Sequence, residues 1–308
     1  MVEHVDTHKP PHGSLEISHV SKSFGEKKVL EDINFTVNAG VLTGFLGANG
    51  SGKTTTMRII MGLLEPCQGE ILYCGEKITS QHRKTFGYMP EERGLYPKQP
   101  LLSQLVYLGQ LHGMDVSTAK SEATDYLEFM GLGEHLNSKL ESLSLGNQQR
   151  VQIIASILHR PKALILDEPF SGLDPQGVEN MVQLLYKIAR SGVPVMFSSH
   201  QLDLIDRLCE EVVILHQGII CAAGNAQQLR EESPQHFRMQ STTDLGWLRS
   251  YEGIRVLDFQ GTQALLEFVH PIEQVRPELL RYAVDQGMTE FSRVLPTLGD
   301  IYRGVTAQ

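Results

Sequence analysis

Gly47-Ala48-Asn49-Gly50-Ser51-Gly52-Lys53-Thr54-Thr55 decides how this chain is read. The stretch fits G-x-x-x-x-G-K-[ST], and its flanks supply the context that the pattern needs. Val41-Leu42-Thr43-Gly44-Phe45-Leu46 before it is short and mostly apolar, as in a buried strand. Thr54 through Leu64 after it reads as a helix. Strand, glycine loop and helix start together aim backbone N–H groups at one anion. Gly50 and Gly52 allow the chain to wrap closely around phosphate oxygens. Lys53 can reach the β- and γ-phosphates, and the Thr54 hydroxyl can ligate Mg²⁺. The motif implies a nucleoside triphosphate bound as its Mg²⁺ complex.

The next strand outward carries the complementary chemistry. Ala163-Leu164-Ile165-Leu166-Asp167-Glu168 is an apolar run ending in two carboxylates. Asp167 is placed to hold Mg²⁺ through water. Glu168, one residue on, points differently and can polarise an attacking water as a general base. Ser171-Gly172-Leu173-Asp174-Pro175 then forms a tight turn, and Phe197-Ser198-Ser199-His200 ends a further strand. A histidine there lies where α/β sheets bind ligands. Ahead of the carboxylate strand, Leu143-Ser144-Leu145-Gly146-Asn147-Gln148-Gln149-Arg150 opens a helix with Ser144 as its cap. That helix start is a second anion site in one chain.

Composition narrows the remaining classes. The 308 residues are 41% hydrophobic and 20% charged, ordinary for a globular chain of one large and one smaller domain. A net charge of −9 argues against a dedicated nucleic-acid binder. The four cysteines, Cys67, Cys74, Cys209 and Cys221, have no metal-ligand spacing and read as isolated thiols of a reducing compartment. No run reaches the roughly 18–20 apolar residues of a membrane span, and no signal peptide is evident, so a cytoplasmic location is expected.

Periodicity organises the rest. Leu15–Phe24 and Val29–Val37 read as an antiparallel hairpin. Residues 101–140 switch to helical spacing, and Val151, Ile154, Ala155 and Leu158 form the apolar stripe of an amphipathic helix over 147–160. A loop at Glu231-Glu232-Ser233-Pro234 marks a domain boundary. Beyond it the order β-α-β-β-α-β, with helices at Asp244–Ser250 and Ile272–Gln286, suggests a small ferredoxin-like domain.

Taken together, the segments at Gly47–Thr54, Leu143–Asn147, Leu164–Glu168, Ser171–Asp174 and His200 resemble, in order, the motifs of ABC transporter ATP-binding subunits. The resemblance covers roughly Leu15 to Leu229. Tyr88–Tyr96, Leu265–Phe268 and Pro296–Tyr302 are similar to the branch that serves ABC-2-type exporters of sodium and drugs. It implies an α/β P-loop NTPase of the ABC ATPase type, with an antiparallel β subdomain and a helical insertion at about 98–158. The expected division is a disordered tail (1–13), the ATPase domain (14–230) and a small C-terminal α+β domain (235–308).

The resemblance also implies roles. Phe24 would stack on adenine, and Asn49, Gly50, Ser51, Gly52, Lys53, Thr54 and Thr55 would hold the nucleotide and its phosphates. Thr54, Asp167 and Glu91 would serve Mg²⁺, Glu168 would be the catalytic base, and His200 would meet the γ-phosphate. Two copies would pack head to tail, with Ser144 and Gly146 of one capping the nucleotide held by Lys53 of the other and Asp174 bridging them. The homodimer would drive a separate transmembrane permease from the cytoplasmic face. Two departures stand out: Leu145 and Asn147 replace the third and fifth residues of Leu-Ser-Gly-Gly-Gln, and Glu91 stands where the family has Gln. The competing expectation is a non-transport ATP switch. Against it, the chain has one phosphate loop and a helical insertion too short for a coiled coil.

Overall fold

The computed structural model describes residues 13–92 and 94–306. Apart from Gly13, the expected N-terminal tail lies outside the described residues. The chain divides into two compact units between Asn225 and Ala226.

In chain order the first unit holds β1 (Leu15–Phe24), β2 (Lys27–Val37), β3 (Leu42–Leu46), α1 (Lys53–Ile60), β4 (Gln68–Tyr73), β5 (Glu76–Lys77), α2 (Ser80–Arg83) and β6 (Phe86–Met89). There follow α3 (Leu101–Leu111), α4 (Val116–Phe129), α5 (Leu145–Ile157), β7 (Ala163–Leu166), α6 (Pro175–Arg190), β8 (Val195–Ser198), α7 (Leu202–Leu208), β9 (Glu211–His216) and β10 (Ile219–Asn225). An antiparallel sheet runs β2-β1-β4-β5, and a larger sheet runs β10-β9-β3-β8-β7-β6. Strands β9, β3, β8, β7 and β6 are mutually parallel, and β10 is antiparallel at the edge.

The strands of the large sheet are buried because both faces are covered, so β3, β7 and β8 read as near-continuous apolar runs. Gly44 sits under Ile205 and Cys209, where a β-carbon would come within 2.7 Å of Ile205. The principal core lies between the two sheets. Leu15, Ile17, Ile33 and Phe35 of the antiparallel sheet pack with Phe45, Met57, Ile59 and Ile165. Phe35 and Phe45 rings lie 5.4 Å apart across that layer. Asp174 caps α6 by accepting from Gly177 N at 3.0 Å, and Pro175 follows at the first helical position.

Helices α3, α4 and α5 form the expected insertion. The structure corrects one reading within it. α5 is not a half-exposed amphipathic helix, because Gln149, Arg150 and Gln152 are buried together with Val151, Ile153 and Ile154. A helix enclosed on most sides must satisfy its polar side chains internally. Gln152 Nε2 accordingly donates to Pro90 O at 2.8 Å, and Arg150 Nη1 to Met130 O at 3.1 Å.

The second unit holds α8 (Ala226–Glu232), β11 (His236–Ser241), β12 (Ile254–Gln260), β13 (Gln263–Phe268), α9 (Ile272–Asp285), β14 (Met288–Val294) and α10 (Leu298–Thr306). Its antiparallel sheet has the order β12-β13-β11-β14, the ferredoxin-like arrangement. Phe237, Met239, Leu248, Leu266 and Leu279 form its core. Two details differ from expectation. The first crossover is a single 3₁₀ segment, Gly246–Ser250, where Asp244 accepts from Gly246 N and tightens the turn. The unit also begins with α8, so the loop at 231–234 lies inside it rather than at its border.

Candidate functional site

The phosphate loop links the end of β3 to the start of α1, and its backbone explains its glycines. Gly50 and Gly52 have φ of +80° and +114°, a region that disfavours any side chain. A β-carbon on Gly52 would come within 2.6 Å of Leu30. No side chain caps α1, and the first three residues of the helix, Lys53, Thr54 and Thr55, line the cleft over the loop. The Ser51 hydroxyl is buried on the Gly47 side of the loop without a hydrogen-bond partner, and Ser51 does not line that cleft. Lys53 Nζ donates to Gly47 O at 2.7 Å and to Ala48 O at 3.2 Å.

A cleft of about 430 Å³ lies over this loop. Asn49, Gly50, Gly52, Lys53, Thr54, Thr55, Glu91, Asp167 and Glu168 line it, as the sequence led one to expect. Lys27 and Val29, at the start of β2, line it too. Lys27 falls between the two strands read from the sequence and is not among the site residues expected there. Burial lowers the Lys53 ammonium below the ordinary lysine value, and the carboxylates of Glu168, Asp167 and Glu91 oppose that shift.

The two carboxylates follow β7 directly. Leu166 pairs with Phe197 across the parallel strands, which sets Asp167 beside Ser198. Thr54 Oγ1 donates to Asp167 Oδ2 at 2.8 Å, joining the two motifs that the sequence separates by more than a hundred positions. Ser198 Oγ donates to Asp167 Oδ1 at 2.6 Å and accepts from Glu168 N at 2.8 Å. Glu168 adopts φ +51°, a left-handed backbone that glutamate rarely takes. Its side chain is mostly buried, and His200 Nδ1 stands 2.9 Å from its Oε2. With the carboxylate accepting, the His200 proton sits on Nδ1, so a neutral ring offers Nε2 only as an acceptor.

The Thr54 hydroxyl and the Asp167 carboxylate form an oxygen pair suited to Mg²⁺, and Glu91 adds a second carboxylate in the lining. Among the described residues no group of three or more His, Cys, Asp or Glu converges as a metal cage. The remaining coordination would therefore come from nucleotide oxygens and water.

Other expected residues lie elsewhere. Phe24 is half exposed at the end of β1 with Lys22 Nζ 5.3 Å from its ring centroid, and it does not line the cleft. Ser144 and Gly146 are also outside the cleft. Ser144 caps α5 by accepting from Asn147 N at 3.3 Å, and Leu145 beside it is 60% exposed. Gly146 lies against the Asp174 turn: a β-carbon there would stand 2.5 Å from Gly172 O. Ser198 and Gln149 are site residues that sequence reading passed over. A hydroxyl closing an apolar strand, and a glutamine within a helix of core residues, were the available signals.

Comparison with known proteins gives a consistent picture. The sequence profile of the ABC transporter family matches residues 30–171. The chain is 38% identical to the uncharacterized ABC transporter ATP-binding protein YhaQ of Bacillus subtilis, over 94% of this chain and 97% of that protein. It is 33% identical to the linearmycin resistance ATP-binding protein LnrL of Bacillus subtilis, over 70% of each. It is also 33% identical to the Nod factor export ATP-binding protein I of Burkholderia lata, over 72% of this chain and 74% of that one. A solved ATP-binding subunit of an ABC transporter superposes with a TM-score of 0.66 at 31% identity, covering 71% of this chain and 92% of its own.

Proposed function

The chain belongs to the ABC transporter ATP-binding proteins, which are ATPases, and from that premise we propose that it is the motor of an exporter, closing as a homodimer on Mg²⁺–ATP to drive a separate ABC-2-type permease. The observation that carries this reading is the separation of its two anion-binding helix starts. Gly50, Gly52, Lys53, Thr54 and Thr55 line the cleft, whereas Ser144 and Gly146 of the same chain do not. A second copy packed head to tail would bring its own Ser144 and Gly146 over the γ-phosphate held by Lys53. ADP lacks the group that both copies would grip, so hydrolysis would release them. Two relatives named for drug resistance and export support the exporter assignment.

Within the cleft, Lys53 would leave the loop carbonyls for the phosphates, and Thr54 and Asp167 would hold the metal, with Glu91 at the rim. Mg²⁺, when bound, neutralises phosphate charge. Glu168 would take the proton of the attacking water. His200 would orient Glu168 through Nδ1–H, and it could donate to the γ-phosphate from Nε2 only when the ring carries both protons. Phe24 would stack on adenine once Lys22 swings aside. Among the described residues no helix is long and apolar enough to cross a membrane. A peripheral position beneath the permease, on the cytoplasmic face, completes the reading.

The test is Glu168→Gln. It should bind ATP, sediment as a dimer with Mg²⁺–ATP, and hydrolyse it more slowly by about 10²-fold or more. Wild-type turnover would remove the general-base assignment. A variant that stays monomeric with bound ATP would remove the dimer.

A further inference from the structure

Glu168 depends on more than its own strand. Its left-handed backbone is an arrangement that the surroundings must impose. Three hydrogen bonds hold its peptide groups. Glu168 N donates to Ser198 Oγ at 2.8 Å, and Glu168 O accepts from Ser171 N at 3.2 Å and from Gln149 Nε2 at 3.0 Å. Ser171 belongs to the same turn and Ser198 to the neighbouring strand. Gln149 reaches in from α5, the helix that starts at Ser144. It is 5% exposed, so its amide is committed to this contact rather than to water.

The contact is to the backbone carbonyl, not to the reactive carboxylate. What Gln149 can fix is the peptide orientation that aims the Glu168 side chain toward His200 and the cleft. Two neighbours on α5 keep its N-terminal half against the same segment. Gly146 lies against Gly172 O, and Arg150 Nη2 pairs with Asp174 while Nη1 donates to Met130 O. The spacing of 146, 149 and 150 places all three on one side of the helix.

We propose that Gln149 is a positioning residue for hydrolysis, holding the Glu168 carbonyl so that the carboxylate stays aimed at the attacking water. This rests on Glu168 being the base as read above. A misaimed general base loses rate steeply with small displacements, while nucleotide binding through residues 49–55 does not involve Gln149.

The experiment uses the full chain and Gln149→Met, which keeps length and volume but removes the donor. ATPase turnover, KM for ATP and binding of a non-hydrolysable ATP analogue are measured in two backgrounds, wild type and Glu168→Gln. The expected result in the first background is a fall in kcat of about tenfold, with KM and analogue affinity within about twofold. In the Glu168→Gln background, followed by single-turnover assay, adding Gln149→Met should leave the residual rate unchanged, because the group being aimed is gone. Wild-type kcat in the single variant, or the same loss in both backgrounds, overturns the proposal. Should Gln149→Met not fold, Gln149→Glu is judged by the same criteria. If Glu168→Gln alone turns over normally, the base assignment has failed. If Glu168→Gln is slow and Gln149→Met is normal, the proposal for Gln149 alone has failed.

Discussion

Ser198→Ala is the sharpest probe of how the two carboxylates are held. The hydroxyl is fully buried and does two jobs, donating to Asp167 Oδ1 at 2.6 Å and accepting from Glu168 N at 2.8 Å. Alanine removes both bonds while leaving the backbone and the β-carbon in place. The bond to a carboxylate contributes about 1.5–3 kcal/mol, and a buried N–H left without an acceptor costs about 1–3 kcal/mol. Partial relaxation of the loop after Asp167 reduces the sum, so about 3 kcal/mol is expected. For a unit of this size each kcal/mol lowers the melting temperature by about 2–4 °C, giving a fall of about 6–12 °C. Differential scanning calorimetry of the full chain, following the transition that ATP raises, reads it. ATPase activity should fall as well, because Asp167 and Glu168 lose their common support. Ser198→Thr keeps the hydroxyl and should recover part of both losses. A Ser198→Ala protein that melts within about 1 °C of wild type and hydrolyses ATP normally would refute the argument that this hydroxyl organises the pair.

Gly146→Ala should lower both melting temperature and ATPase rate, since its β-carbon would meet Gly172 O at 2.5 Å; unchanged values would mean that the turn yields freely. His159 predicts acid sensitivity. Burial and then the stacked His112 ring, 3.8 Å away, hold it down at about 4. The unfolded chain takes that proton near pH 6.5 and the folded one only near 4, so stability falls as pH drops through this window, by about 3 kcal/mol at its lower end. Urea titrations from pH 7 to 4.5 should show a smaller loss for His159→Gln than for wild type. Cys209 is buried and its thiol is pushed far up, first by burial and then by Glu210, whereas Cys67, Cys74 and Cys221 are exposed. Alkylation at pH 8 read by mass spectrometry should therefore spare Cys209 until denaturant is added.

Much of the site could be read from order and polarity. The phosphate loop announces itself because glycine at positive φ and a lysine before two threonines have few other uses. Asp167 and Glu168 stand out against four apolar residues. Residues that act by touching something remote were harder to see. Gln149 and Ser198 gain their meaning from Glu168 and Asp167, which are close in space but not in sequence. The same limit explains α5, whose stripe of Val151, Ile154 and Leu158 was plain while the burial of its other faces depends on Pro90 and Met130. In the second unit the strand order was legible, but the short crossover after Asp244 was drawn as a full helix. One aspartate tightening a turn leaves no periodic trace.

The resting place of Lys53 has a consequence for how fast the site can load. Its ammonium is hydrogen-bonded to Gly47 O and Ala48 O, so the loop is braced by its own cation. Nucleotide entry then exchanges two carbonyl partners for phosphate oxygens instead of freezing a slack nine-residue segment. Little ordering entropy is left to lose on binding, since residues 47–55 surrendered it when the chain folded. A loop ordered in this way leaves the energy of its ligand contacts for binding rather than for folding the segment.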